Sequence, residues 1–134
     1  MVRAQFAHLK ADEKAIAERF ERNALLVGEY VYDVHLDVPE IRFPAHWTKK
    51  DVETWSDLRA KRIDLVVKQP TGHWVLEITP KLSKAAIGGV LAYRDLYQKQ
   101  YSPGVPVHVG VVCELDDPAY HGILRKEIIR LWVV

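Results

Sequence analysis

The strongest constraint on how this chain folds is a pair of short apolar runs, each interrupted by one carboxylate and joined by a tight turn. Ile63-Asp64-Leu65-Val66-Val67 leads through Gln69-Pro70-Thr71-Gly72 to Trp74-Val75-Leu76-Glu77-Ile78. Proline presets φ and glycine accepts a positive φ, so residues 61–79 read as a β-hairpin. A carboxylate inside an apolar run is costly to bury unless it is paired, hydrogen-bonded or metal-bound. Two of them on adjacent strands can converge, and a converged pair binds a hard divalent cation. A magnesium ion so held keeps several waters, one of which can be activated to attack a phosphodiester. The competing reading of Asp64 and Glu77 is a structural polar pair, salt-bridged to Arg62, Lys61 or Lys81.

The rest of the chain supplies elements to surround that hairpin. Phe6, Leu9, Ile16 and Phe20 recur at helical spacing, which predicts an amphipathic helix over 5–22 that ends near Asn23. From Leu25 to Val38 the period changes. Leu26, Tyr30, Tyr32, Val34, Leu36 and Val38 share one parity, with Asp33, His35 and Asp37 on the other, as in a long half-buried strand bent at Gly28. After Pro39 and Pro44, residues 48–58 read as a short helix capped by Thr48. Pro80 ends the second hairpin strand. Ser83 caps a helix running to about Gln100, in which Gly88-Gly89 implies close approach to a sheet or another backbone. Val105 to Leu115 has the composition of a strand covered on both faces. Asp116 or Asp117 caps a last helix over 118–130, and 131–134 adds an edge strand. A hairpin, a crossover helix and a buried strand in that order predict an α/β domain: a mixed sheet with helices on both faces.

At 134 residues the chain fits one domain, 1–134, with one core. A net charge of +1 does not mark a nucleic-acid binder, although a local patch can still bind phosphate. The single cysteine, Cys113, excludes a disulfide framework and fits a cytoplasmic compartment and a small buried hydrophobe. No apolar run is long enough for a membrane span. The N-terminus turns charged too early for a secretion signal, so the chain is expected to be neither secreted nor membrane-bound. The six histidines show no zinc-ligand spacing, and neither a nucleophile elbow nor a phosphate-binding glycine loop is present.

The stretch Arg62 to Val67, the glycine-containing turn, Val75-Leu76-Glu77-Ile78-Thr79, then a helix with Tyr93 and a further strand, resembles the PD-(D/E)xK nuclease superfamily. The likeness in element order covers nearly the whole chain; in sequence it covers about 40 residues, Arg62 to Tyr101. The resemblance implies a restriction-endonuclease-like fold. It makes Asp64 and Glu77 ligands of Mg2+ or Mn2+, with the carbonyl of Ile78 as a third, and adds a carboxylate from the first helix, Glu18 or Glu21. Two positions depart from the pattern. The family's lysine belongs two residues after the glutamate, where this chain has Thr79, so the positive charge falls to Lys81 or Lys84. Lys81 shares a strand face with residues 77 and 79 but stands roughly 13 Å beyond Glu77, at about 3.3 Å per residue. The exonuclease branch carries Gln-x-x-x-Tyr on the helix, where this chain reads Gly89-Val90-Leu91-Ala92-Tyr93. Tyr93 is then a site residue or core packing.

Lys49, Lys50, Arg59, Lys61 and Arg62 flank Trp47 and Trp55. They read as a phosphate-contacting loop beside the site, or as a solvated helix face balanced by Asp51, Glu53 and Asp57. Two functions follow. One is a Mg2+- or Mn2+-dependent DNA phosphodiesterase with an atypical site. The other is an inactive nuclease fold without a cofactor, reused as a structural module among protein partners or as a homo-oligomer, for example in a phage virion or neck. The lost lysine and glutamine favour the second.

Overall fold

Residues 9–59 and 61–134 are described by a computed structural model, with side chains except at 57–59 and 61. Five strands form one mixed sheet in the order β1-β2-β3-β4-β5. They are β1 (Glu29–Leu36), β2 (Lys61–Gln69), β3 (Gly72–Lys81), β4 (Val107–Leu115) and β5 (Ile129–Val133). β1 and β2, and β2 and β3, pair antiparallel, while β3 and β4, and β4 and β5, pair parallel. Among the described residues four α-helices, α1 (Ala11–Arg22), α2 (Lys49–Arg59), α3 (Lys84–Tyr101) and α4 (His121–Lys126), complete a single α/β domain. Among the described residues no helix is long and apolar enough to cross a membrane.

The sheet is the middle of three layers. On one face Ile16, Ala17 and Phe20 of α1 pack against Leu65, Val67, Leu76, Ile78, Val112 and Trp132. On the other, Ala86, Ile87, Val90 and Tyr97 of α3 and Leu124 of α4 cover Val66, Val75, Val109, Val111 and Cys113. β4 is therefore buried on both sides, as its unbroken apolar run predicts.

Two residues apart on a strand normally share a face. Here that rule is broken at one rung. Tyr32 and Leu65 lie on the α1 face, whereas Val34 and Ile63, paired two residues further along, lie on the α3 face. Asp33, between them on β1, has φ +58, a left-handed conformation that aspartate tolerates better than most residues. Asp64 is the residue between them on β2. The two strands change face together at this rung, so their pairing is preserved on both sides of it.

Several boundaries differ from the sequence expectation. The part of the 5–22 helix before residue 9 lies outside the described residues; the helix proper starts at Ala11. Thr48 does cap α2, its hydroxyl accepting from the Asp51 N–H and the Asp51 carboxylate accepting from the Thr48 N–H, both at 3.1 Å. Gly72 does not use a positive φ. It favours close packing instead: a Cβ there would meet the His108 ring at 2.8 Å and the Pro106 carbonyl oxygen at 3.1 Å. β3 runs through Pro80 to Lys81. β2 has already separated from β3 by then, so the missing proline N–H leaves no ladder bond broken on that side. The last helix is shorter than 118–130. A 3-10 turn at Pro118–Tyr120 precedes α4, and Ile128, at φ +56, ends the turn so that β5 begins at Ile129.

Candidate active site

β2 and β3 are paired up to Leu65 and Leu76, and one more residue in that register sets Asp64 opposite Glu77. Asp64 Oδ2 accepts the Ile78 N–H at 2.9 Å, standing in for the backbone acceptor that a continued ladder would offer. The Glu77 and Asp64 carboxyls hydrogen-bond each other. Burial above all, then this hydrogen bond and the charge of Asp64, and last the charge of Glu13, hold Glu77 well above the ordinary carboxylate range. The pair therefore holds on to one proton above the ordinary carboxylate range.

α3 crosses directly over this pair. Its register places Gly89 above Glu77, where a Cβ would stand 3.0 Å from Glu77 Oε2. The absence of a side chain at Gly89 is thus what lets the helix approach the carboxyl. One turn on, the half-buried Tyr93 has its hydroxyl pushed up by burial first and then by the charges of Glu77 and Asp64, so it stays a protonated donor beside them. Ser83 holds the start of α3, its Oγ accepting the Ala86 N–H at 3.2 Å.

A hollow of about 160 Å³ opens next to Glu77, lined by Glu13, Ile78, Thr79, Ser83, Ala85 and Ala86. The first turns of α1 and α3 both border it, and helix N-termini favour anionic groups. The acid that α1 contributes is Glu13, not Glu21 or Glu18. Glu21 accepts the Tyr32 hydroxyl at 2.7 Å, and Glu18 adds its charge to the same tyrosine. Helical spacing contains the signal for Glu13: it follows Leu9 by four residues and precedes Ile16, Ala17 and Phe20 by three, four and seven, on the stripe that packs against the sheet. Its Oε1 also accepts the Lys10 N–H at 3.1 Å, which fixes it in the first turn.

The structure thus gathers Asp64, Glu77, Ile78, Thr79 and Tyr93, and adds Glu13 and Ser83. It leaves the lysines outside. Lys81 and Lys84 are exposed, flank the hollow in sequence, and form no ion pair among the described residues. Thr79 lines the hollow, with its hydroxyl donated to the Lys81 carbonyl at 3.2 Å. Among the basic residues near α2, Lys49 and Lys50 are exposed. Arg62 is drawn away from the carboxylate pair by Asp33, at 3.2 Å. The side chains of Arg59 and Lys61 lie outside the described residues. Among the described residues no group of three or more His, Cys, Asp or Glu side chains could hold a metal ion.

Comparison of the chain with protein-family models, with curated proteins and with solved structures found no match.

Proposed function

We propose that the protein is a divalent-cation-dependent DNA phosphodiesterase of the PD-(D/E)xK kind, with a restriction-endonuclease-like fold. The observation that carries this reading is the convergence of Asp64 and Glu77 at the open end of a hairpin. The donor set fits a Mg2+ or Mn2+ ion: two carboxyls share one proton in a half-buried setting, beside the carbonyl of Ile78, and a hard cation replacing that proton would satisfy both. Magnesium characteristically takes one or two protein carboxylates and keeps waters and substrate oxygens as its other ligands. Such an ion would supply a water of lowered pKa and polarise the phosphate. The chain's own residues do the remaining work. Asp64 is oriented by the Ile78 N–H. The Tyr93 hydroxyl is a donor next to the pair. Glu13 and Thr79 border the hollow beside Glu77. Lys81 or Lys84 would bring the positive charge that Thr79 lacks.

A second reading, the inactive module, is favoured by one feature. Thr79 occupies the lysine's place, and both substitute lysines are exposed, with no ion pair among the described residues. The experiment that separates the two is incubation of linear and circular DNA with the protein in Mg2+ or Mn2+, beside Glu77→Ala, with calorimetry of ion binding. Metal-dependent cleavage lost in Glu77→Ala is the expected result. No cleavage and no ion binding by the intact chain would leave the module reading.

A further inference from the structure

The outer strands of the sheet are β1 and β5, and their free edges differ. β1 is interrupted by the left-handed Asp33, and the Tyr101 hydroxyl already takes the His35 carbonyl. A kinked edge is one of the ways a protein blocks the addition of a further strand. β5 has no such interruption: Ile129–Val133 contains no proline and no positive φ, and among the described residues no strand pairs with its outer side. Its backbone is open in a fixed pattern. The Val134 N–H donates to the Cys113 carbonyl at 2.8 Å, so position 134 faces β4. Successive residues of a strand aim these groups to alternate sides. Ile129, Leu131 and Val133 therefore aim both N–H and C=O outward, as a template for another strand.

The order of residues selects the occupant. Ile129-Arg130-Leu131-Trp132-Val133 matches itself when two copies run antiparallel about Leu131. Ile129 then faces Val133 of the second copy, Leu131 faces Leu131, and Arg130 faces Trp132. The outward-aimed residues are the ones that fall in hydrogen-bonded pairs, each exchanging both backbone bonds. Apolar and β-branched cross-strand pairs of this kind stabilise antiparallel pairing. Arg130 is the one ionised side chain on the strand. Its guanidinium leans inward, 4.8 Å from the ring centroid of Trp132 and 6.0 Å from that of Trp74 on β3, so the charge is carried away from the edge. Centring the pair on Arg130 instead would set two arginines directly opposite, which is unfavourable. Val133 is 51 % exposed and Ile128, just before the strand, 83 %, so apolar surface at both ends of β5 would gain cover. This self-match favours a second copy over an unrelated strand, and it closes as a two-fold dimer in which both copies use the same surface.

We propose that β5 pairs antiparallel with β5 of a second copy of this chain, centred on Leu131, so that the two five-stranded sheets become one. The pairing does not rest on the phosphodiesterase reading. The test is sedimentation velocity of the full chain up to about 500 µM, a range that reveals even a weak specific interface. A monomer–dimer equilibrium is expected. Val133→Lys places on the strand the charge that natural edges use against pairing, and should raise the dimer dissociation constant at least about tenfold. The melting temperature of the dilute protein should stay unchanged in that variant, because Val133 is exposed. Register is read by oxidation. Leu131→Cys should cross-link two copies, since a hydrogen-bonded pair sets its Cα atoms about 5.5 Å apart, within disulfide reach. Val133→Cys faces Ile129 of the second copy and should not cross-link; the native Cys113 is buried. A monomer at every concentration overturns the proposal and leaves the edge to a strand of another protein. A dimer that Val133→Lys does not weaken overturns it too. So does a dimer in which Leu131→Cys stays uncross-linked, or in which Val133→Cys cross-links as fast.

Discussion

β3 and α3 meet twice, and the two meetings are built on opposite terms. Toward the start of β3, His73 Nδ1 and the Tyr97 hydroxyl are 2.8 Å apart, and the Tyr97 ring lies against Tyr101 at 4.9 Å. Tyr101 in turn donates to the His35 carbonyl at 2.7 Å, tying the end of α3 to β1. Every polar group there is neutral and partnered. Toward the end of β3 the helix offers a glycine in place of a ring, and the strand offers an acid in place of an imidazole. The first junction fastens the helix to the sheet. The second holds two carboxyls together at a cost that a purely structural junction has no need to bear. The contrast teaches that one strand–helix pair can be divided into an anchoring half and a chemically loaded half.

Breaking the anchoring half should have the largest effect. Tyr97 is fully buried, and Tyr97→Ala should destabilise the fold by about 3–5 kcal/mol, as truncation of a buried aromatic does. Tyr97→Phe, which loses only the hydroxyl, should cost about 1 kcal/mol in the same urea titration. Next comes the loaded half. Thr79→Lys places an ammonium two residues after Glu77, and it should raise the Mg2+-dependent cleavage rate on the order of a hundredfold, comparable to adding one preorganised charge to an active site. An unchanged rate would show that Thr79 is not what limits the site. Gly89→Val presses a side chain onto Glu77 Oε2 and should cost about 1–3 kcal/mol in stability, with weaker ion binding by calorimetry.

A further contrast concerns pH, and the two halves should respond with opposite signs. Glu77 keeps its proton in the folded chain above its ordinary value of 4.5. Its contribution to stability is fully present below that value and is lost as pH rises through the window above it, by at most about 1.4 kcal/mol per pH unit. His73 is pushed below its ordinary 6.5, by burial first and then by the charge of Lys68. Its contribution is present above 6.5 and lost as pH falls from there toward its folded value. Melting curves in EDTA taken across the range from pH 5 to pH 8 should therefore show a loss toward high pH that Glu77→Gln removes, and a loss on the acid side that His73→Gln removes.

Much of this architecture is legible in the residues, for physical reasons. The hairpin, the Thr48 and Ser83 caps and the doubly covered β4 depend on local chemistry or on composition alone, and the order of elements follows from them. The convergence of Asp64 and Glu77 follows from the turn length, which sets the register. What could not be read depends on the third dimension. Gly89 looks like a lost side chain until its distance from Glu77 is known, and Gly72 looks like a turn residue until His108 is placed beside it. Glu13 lay on the apolar stripe of α1, yet Glu18 and Glu21 drew attention because the resemblance specifies an acid on that helix without its register. The shortening of α4 hangs on one backbone torsion at Ile128, which no side-chain preference announces.

The rung at Asp33 and Asp64 has a consequence of its own. Alternation along β1 behaves like a wave with a half-period slip at that point, and β2 carries the matching slip. Any reading that extends one phase across it assigns half of each strand to the wrong side of the sheet. The defect is also where the loaded carboxylate sits, so the discontinuity in the pattern and the chemistry share one address. Removing the slip, as a β-branched residue at position 33 would tend to do, asks Val34 and Leu36 to exchange sides with their neighbours, and Ile63 to move with Val34.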